Sequence, residues 1–211
     1  MSSLSIDTPP FPPSVHLTDP RPVPEHTRAT RLVHMALAAA IVVQLLASLV
    51  MATPLRGREN VFFEIHEYGG LVTLVLASGF WLVALRRRRG TPMALLFPWF
   101  SGEGRKAVWL DLRRHWQSLR DRTVPDAAHL SPLASAVHGL GLLLVSAMAL
   151  TGALFYLAIV AGATKSTWAM LDIELHALLA SLVWAYLIGH SGMALLHHFS
   201  RRRSLDVMWR R

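Results

Sequence analysis

The sequence predicts an all-α integral membrane protein: a four-helix bundle with an amphipathic interfacial helix on the cytoplasmic side. Three observations predict it. Of 211 residues, 53% are hydrophobic, and they fall in four long blocks rather than evenly. Each block holds at least 18 consecutive residues free of Asp, Glu, Lys and Arg, enough for a helix to cross a hydrocarbon core of about 30 Å. The cations are sorted by segment: of 21 Lys and Arg, all but Arg56, Arg58 and Lys165 lie in alternate connections. Four buried helices of a soluble bundle would leave too little polar surface for so short a chain.

Taken in order, residues 1–29 are rich in Pro, Ser and Thr and read as a disordered or extended tail. They lack the apolar core of a secretory signal, so the first apolar run, 31–53, stays as a membrane helix. A short outer loop, 54–60, leads to the second span, 61–85, which closes on the stop-transfer cluster Arg86, Arg87, Arg88 and Arg89. The connection 86–130 is long and basic. Within it, Val108, Leu112, Trp116 and Leu119 fall at helical spacing among six cations over 103–122, the pattern of a helix lying on a membrane surface. Before it, 95–100 with Pro98 and Trp99 dips into the interface. The third span is 131–162 and the fourth 168–199. The membrane domain is thus 30–200, followed by a basic tail, 201–211.

The net charge of +8 is a topology signal, not a nucleic-acid footprint. Eighteen cations against three place both termini and the long loop in the cytoplasm of a multi-pass inner-membrane protein. The outer face carries Glu59, Glu64, Glu67, Asp172 and Glu174 and is mildly acidic. There is no cysteine, which excludes thiolate-bound iron–sulfur clusters, covalently attached haem and disulfides.

Imidazole is costly in lipid, so an intramembrane histidine is a functional candidate. His34, His66 and His138 lie in the first three spans, and His176, His190 and His197 in the fourth. His176 and His190 are fourteen residues apart; fourteen steps of 100° return to within about 40°, at about 21 Å of axial rise. They share a stripe at two depths. His34 lies about 27 Å of helix from the outer end of its span and His190 about 30 Å from the outer start of its own, so these two match near the cytoplasmic side. His66 and His176 match near the outer side. Two bis-histidine pairs at two depths suit two haems. A six-coordinate iron exchanges electrons and leaves no site for dioxygen, and a porphyrin's apolar faces suit a bundle core. Gly69, Gly70, Gly139, Gly141, Gly152 and Gly189 are candidates for close packing. His138 and His197, both near the cytoplasmic interface, match only each other and are candidates for a quinone site or a proton-handling pair. Arg28 and Arg31 are candidates to pair with haem propionates. His16, His26, His115, His129 and His198 read as interfacial or solvent-exposed.

The chain resembles the bacterial cytochrome b561 superfamily, which includes the b-type cytochromes of nickel–iron hydrogenases and the gamma subunits of formate dehydrogenases. The resemblance rests on Arg31 to His34 opening the first span, His66-Glu67-Tyr68-Gly69 opening the second, Leu150-Thr151-Gly152 in the third, and the His176 and His190 spacing. It implies two haem b groups held by His34–His190 and His66–His176 and a quinone site near the cytoplasmic haem. It also implies a relay of electrons between an outer-side redox enzyme or cytochrome and the quinone pool. The basic central loop and Pro-rich tail depart from the pattern and leave the redox partner open. One alternative is a self-contained cytochrome oxidising a diffusible reductant such as superoxide, with quinone as acceptor. Another, of a different class, is a haem-free channel, proton transporter or assembly subunit.

Overall fold

The structure, a computed structural model, describes residues 26–52, 59–87, 91–121, 131–197 and 199. The tail 1–25, the loop 53–58, residues 88–90 and 122–130 and the tail 200–211 lie outside the described residues, and with them the extended N-terminal tail and the basic C-terminal anchor expected from the sequence. Six α-helices follow one another: α1 (Arg28–Val50), α2 (Val61–Arg86), α3 (Met93–Leu96), α4 (Gly102–Arg120), α5 (Pro132–Val160) and α6 (Thr167–His197), with a 3-10 turn at Pro98–Phe100. Among the described residues there is no strand. Four helices, α1, α2, α5 and α6, are long and apolar enough to cross a membrane. Their bounds fall within about a turn of those read from the sequence.

Local chemistry sets the ends. Thr27 caps α1 by accepting from the Thr30 N–H at 3.2 Å. Asn60 caps α2 through the Phe63 N–H, accepts from the Ala52 N–H at 3.1 Å and donates to the Val50 carbonyl at 3.0 Å. One side chain thus satisfies orphan groups at the end of α1 and at the start of α2 and fixes their antiparallel turn. Ser131 caps α5, with Pro132 at the first helical position, where a missing N–H costs nothing. The α5–α6 turn closes on Gly162, at φ 65°, with the Ala163 N–H bonded back to the Ala158 carbonyl. This is the left-handed C-cap that glycine adopts without a steric penalty.

The bundle core is built largely from small residues. Ala77, Ala136, Ala149, Ala158 and Ala169 are buried, as expected where helices meet without a hydrophobic drive in lipid. Leu37, Ala77 and Val145 join α1, α2 and α5, and Phe155, Ala158 and Ala169 join α5 to α6. Outward, Leu49, Val75 and Leu171 are more than 60% exposed, a surface that suits acyl chains and not water. The segment after α2 folds back on the bundle. Phe97 stacks on Trp81 at 5.5 Å with 8° between rings, and Trp81 donates to Ser146. The Leu96 carbonyl sits where a Cβ on Gly139 would be.

Helix α4 presents an inner face through Gly104, Ala107, Val108, Asp111, His115 and Ser118, none of them exposed. Asp111 is its anchor. Its carboxylate accepts from the Ser131 hydroxyl and from the Leu133 N–H, holding α4 at the start of α5. Leu112 and Trp116, read from spacing as part of the apolar stripe, are exposed and lie beside this inner face.

Candidate functional site

The two histidine pairs expected from depth are brought together. His34 of α1 and His190 of α6 have ring centres 6.4 Å apart at 58°. His66 of α2 and His176 of α6 have ring centres 6.1 Å apart at 89°. The helix placement explains both. α6 runs the length of the bundle, α1 offers its first turns at one end, and α2 offers its first turns at the other.

These separations have a metal-site meaning. An imidazole nitrogen binds a first-row transition metal at about 2 Å, and the ring centre lies about 1.15 Å behind it, so two imidazoles in line on one metal have centres about 6.3 Å apart. Both pairs fit. Among the described residues no group of three or more His, Asp or Glu gathers as a bare-metal site. Two imidazoles with no third ligand would suit a metal held chiefly by a macrocycle.

The His66–His176 end is further prepared for such a group. The His66 Nδ1 lies 3.2 Å from the main-chain carbonyl of Gln44 on α1, to which its N–H donates. The His176 Nδ1 lies 2.8 Å from the Thr151 hydroxyl on α5. A proton on Nδ1 in each ring leaves the Nε2 lone pair for a metal. Between the helices is a cavity with about 960 Å³ of empty space including its open mouth. His66, His176, Gly70, Gly152, Phe155 and Tyr156 are among its walls. The residues therefore fit a haem: two imidazoles at a metal-spanning separation, apolar walls and glycines beside the cavity.

At the other end His190 is crowded. Tyr186 stacks on it at 5.4 Å, and His138 meets it edge-on at 5.1 Å. The sequence matched His138 by depth to His197 alone; the structure places it against His190 instead. His138 is six residues into α5 and His190 seven from the end of α6, about 10 Å of rise in each case, so the two come level. His197 lies in the last turn of α6, and its side chain is outside the described residues. His26 also differs from the sequence reading. It is partly buried, its Nδ1 is enclosed without a hydrogen-bond partner, and burial with the nearby Arg87 and Arg31 guanidinium groups holds its pKa below the ordinary value. His115 bonds within α4 to Asp111. His16, His129 and His198 are outside the described residues.

The glycines serve closer partners than the sequence suggested. Gly69 and Gly70 face the Gln44 amide, Gly139 faces Leu96, Gly141 faces Tyr186 and Gly152 faces His176, while nothing approaches Gly189. Thr151 and Gln44 were missed as second partners of the histidines. Thr151 has one signal in the sequence, a hydroxyl beside Gly152 in the Leu150-Thr151-Gly152 step; Gln44 acts through its main chain, which no sequence pattern marks.

The model of one family, described as prokaryotic cytochrome b561, matches residues 25–211. The chain belongs to the prokaryotic cytochrome b561 family. No curated protein and no solved structure matches it. Membership, with four apolar helices, makes this a multi-pass inner-membrane protein of b-type haem electron transfer.

Proposed function

We propose that this b561-family protein is a dihaem cytochrome. One haem b lies between His34 and His190 and a second between His66 and His176, and electrons pass between a periplasmic redox partner and the membrane quinone pool. The observation that carries the reading is the pair of ring separations, 6.4 and 6.1 Å, at two depths of one bundle. When bound, the haems supply one-electron exchange at iron. The chain's residues do the rest. His34 with His190, and His66 with His176, would hold the two groups, with ring centres 6.4 and 6.1 Å apart. Helix α6 carries one ligand for each site, so a single rigid element sets their spacing. The Nδ1 bonds of His66 and His176 hold those rings in one tautomer. The apolar walls exclude water.

The cation distribution, eighteen against three, supports both termini and the 86–130 segment in the cytoplasm. The His34–His190 site then lies toward the cytoplasm and the His66–His176 site toward the periplasm. Helix α4, tied by Asp111 to the first turn of α5, is level with the end of a span. Its exposed Trp109 and Trp116 suit the lipid boundary. The quinone site belongs near the His34–His190 pair, where His138 is in contact with His190; His197 joins it on sequence grounds alone.

Purified protein supplied with haem tests this. About two b-type haems per chain are expected, one for each bis-histidine site, all removed by acid–acetone because no Cys can bond them. A preparation with no reducible b-type spectrum overturns the reading.

A further inference from the structure

We propose that Thr151 orients His176 and sets its electron-donating strength, and through it the potential and spectroscopic type of the haem at the His66 end. The proposal rests on the bis-histidine reading. Thr151 is buried on α5. Its hydroxyl has one proton, and the Ala147 and Met148 carbonyls of its own helix both lie 3.0 Å away. With that proton directed into the helix, the oxygen presents a lone pair to the His176 Nδ1 at 2.8 Å. Thr151 therefore accepts, and the imidazole donates; the Met148 carbonyl, also a hydrogen-bond partner of His176, is a second acceptor beside it.

Two consequences follow. Donation from Nδ1–H makes the ring a stronger electron donor through Nε2, which favours the oxidised metal and lowers the potential. The bond also fixes rotation of the ring about its metal axis. Gly152 assists: a Cβ there would lie 3.2 Å from the His176 Cε1, so His176 sits close against α5. Across the site, His66 is held from a different helix, by the Gln44 carbonyl of α1 at 3.2 Å. Two holders on two helices leave the rings at 89°. Crossed imidazole planes on low-spin ferric iron raise the largest g value in the electron paramagnetic resonance spectrum above that of parallel planes. At the other end the rings lie at 58° and rest on ring contacts with Phe80 and Tyr186.

The test compares Thr151→Val, which keeps the shape and removes the hydroxyl but leaves the Met148 carbonyl, with Thr151→Ser, which keeps the hydroxyl. His176→Ala serves as reference, all in the full-length, haem-loaded chain. Potentiometric titration and electron paramagnetic resonance are read on each. In the Val variant the His66-end component should move to higher potential and lose its high-g signal. The Ser variant should match the parent, and the other component should be unchanged in both, which also reports intact folding. Loss of the His66-end haem in Val with retention in Ser supports the same hydroxyl role. Parent-like potential and g values in Val, or equal loss in Val and Ser, overturn it. Retention of both haems in His176→Ala overturns the ligand reading, and this proposal with it.

Discussion

Tyr186 lies flat on His190, with 10° between their rings and 5.4 Å between centres. They are four residues apart on α6, one turn, so the stack is local in origin. Its other side is not local. Tyr186 presses its ring and hydroxyl into the space that a Cβ on Gly141 of α5 would occupy. A missing methyl on one helix thus positions a ring on the next, and that ring backs a proposed ligand. Gly141→Ala should cost about 1–3 kcal/mol, the usual range for overpacking, seen as a lower Tm. It should also shift the potential of the His34-end haem and leave the other in place. A lower Tm with both potentials unchanged would show that Tyr186 yields without moving His190.

The pairs should fail separately. His66→Ala and His176→Ala remove partners 6.1 Å apart and should abolish one spectral component. His34→Ala and His190→Ala should abolish the other. His138→Ala should keep both haems: its ring centre is 5.1 Å from that of His190, too short for two imidazoles in line on one metal, which need about 6.3 Å. Redox titration of the five variants decides it. If His34→Ala and His66→Ala lose the same component, the pairing is wrong.

Asp111 should matter more than its place in a basic surface helix suggests. It is 8% exposed and accepts from Ser131 and the Leu133 N–H, part-buried donors at the start of α5 that the helix itself leaves unpaired. Asp111→Ala leaves those groups unpaired and releases α4, at about 1–3 kcal/mol for a buried group that loses its partner. Limited proteolysis of membrane vesicles should then cut within 102–120 faster than in the parent, with haem content unchanged. Equal cutting rates would mean that α4 is held by its aromatic side chains instead.

These cases show what could be read in the sequence. The four spans and the two pairings follow from apolar run length and helical rise, quantities that a one-dimensional pattern carries. His138 beside His190 also follows from rise, but only when depth is counted from the cytoplasmic end, where both histidines are close to their helix ends. The partners of Nδ1 do not follow. Thr151 is one of several hydroxyl residues in its span, and Gln44 contributes a main-chain carbonyl. The glycines were legible as close-packing positions but not as to what packs there. That depends on helix rotation, and the helices are too uniformly apolar for periodicity to fix it: α5 and α6 carry Leu, Val or Ala on every side. Asp111 reads as one acid among cations until α5 is placed beside it.

The last prediction concerns the face nearest the His66–His176 site. Glu59 and Glu64 are exposed, Glu67 is partly so, and the three lie close enough to interact electrostatically. Glu67 also lines the cavity that holds His66 and His176. Glu174 is exposed on α6. Asp172 differs, with one carboxylate oxygen enclosed and without a hydrogen-bond partner, so it is the least suited of the five acids to meet a partner. An acidic rim around the opening of a haem site would steer a basic redox partner to the point of shortest transfer, raising the association rate most at low salt. Such charges can also do no more than solvate helix ends, and the two roles differ in kinetics. Charge neutralisation by Glu59→Gln, Glu64→Gln and Glu174→Gln together should slow electron entry from a basic donor several-fold at low ionic strength. The deficit should vanish as salt is raised past the point where the Debye length falls to about 8–10 Å. Haem content should be unchanged, because none of the three is a proposed ligand. Stopped-flow reduction across a salt series checks it. Equal rates for variant and parent at low salt would leave the acids as solvation alone and move the docking face elsewhere.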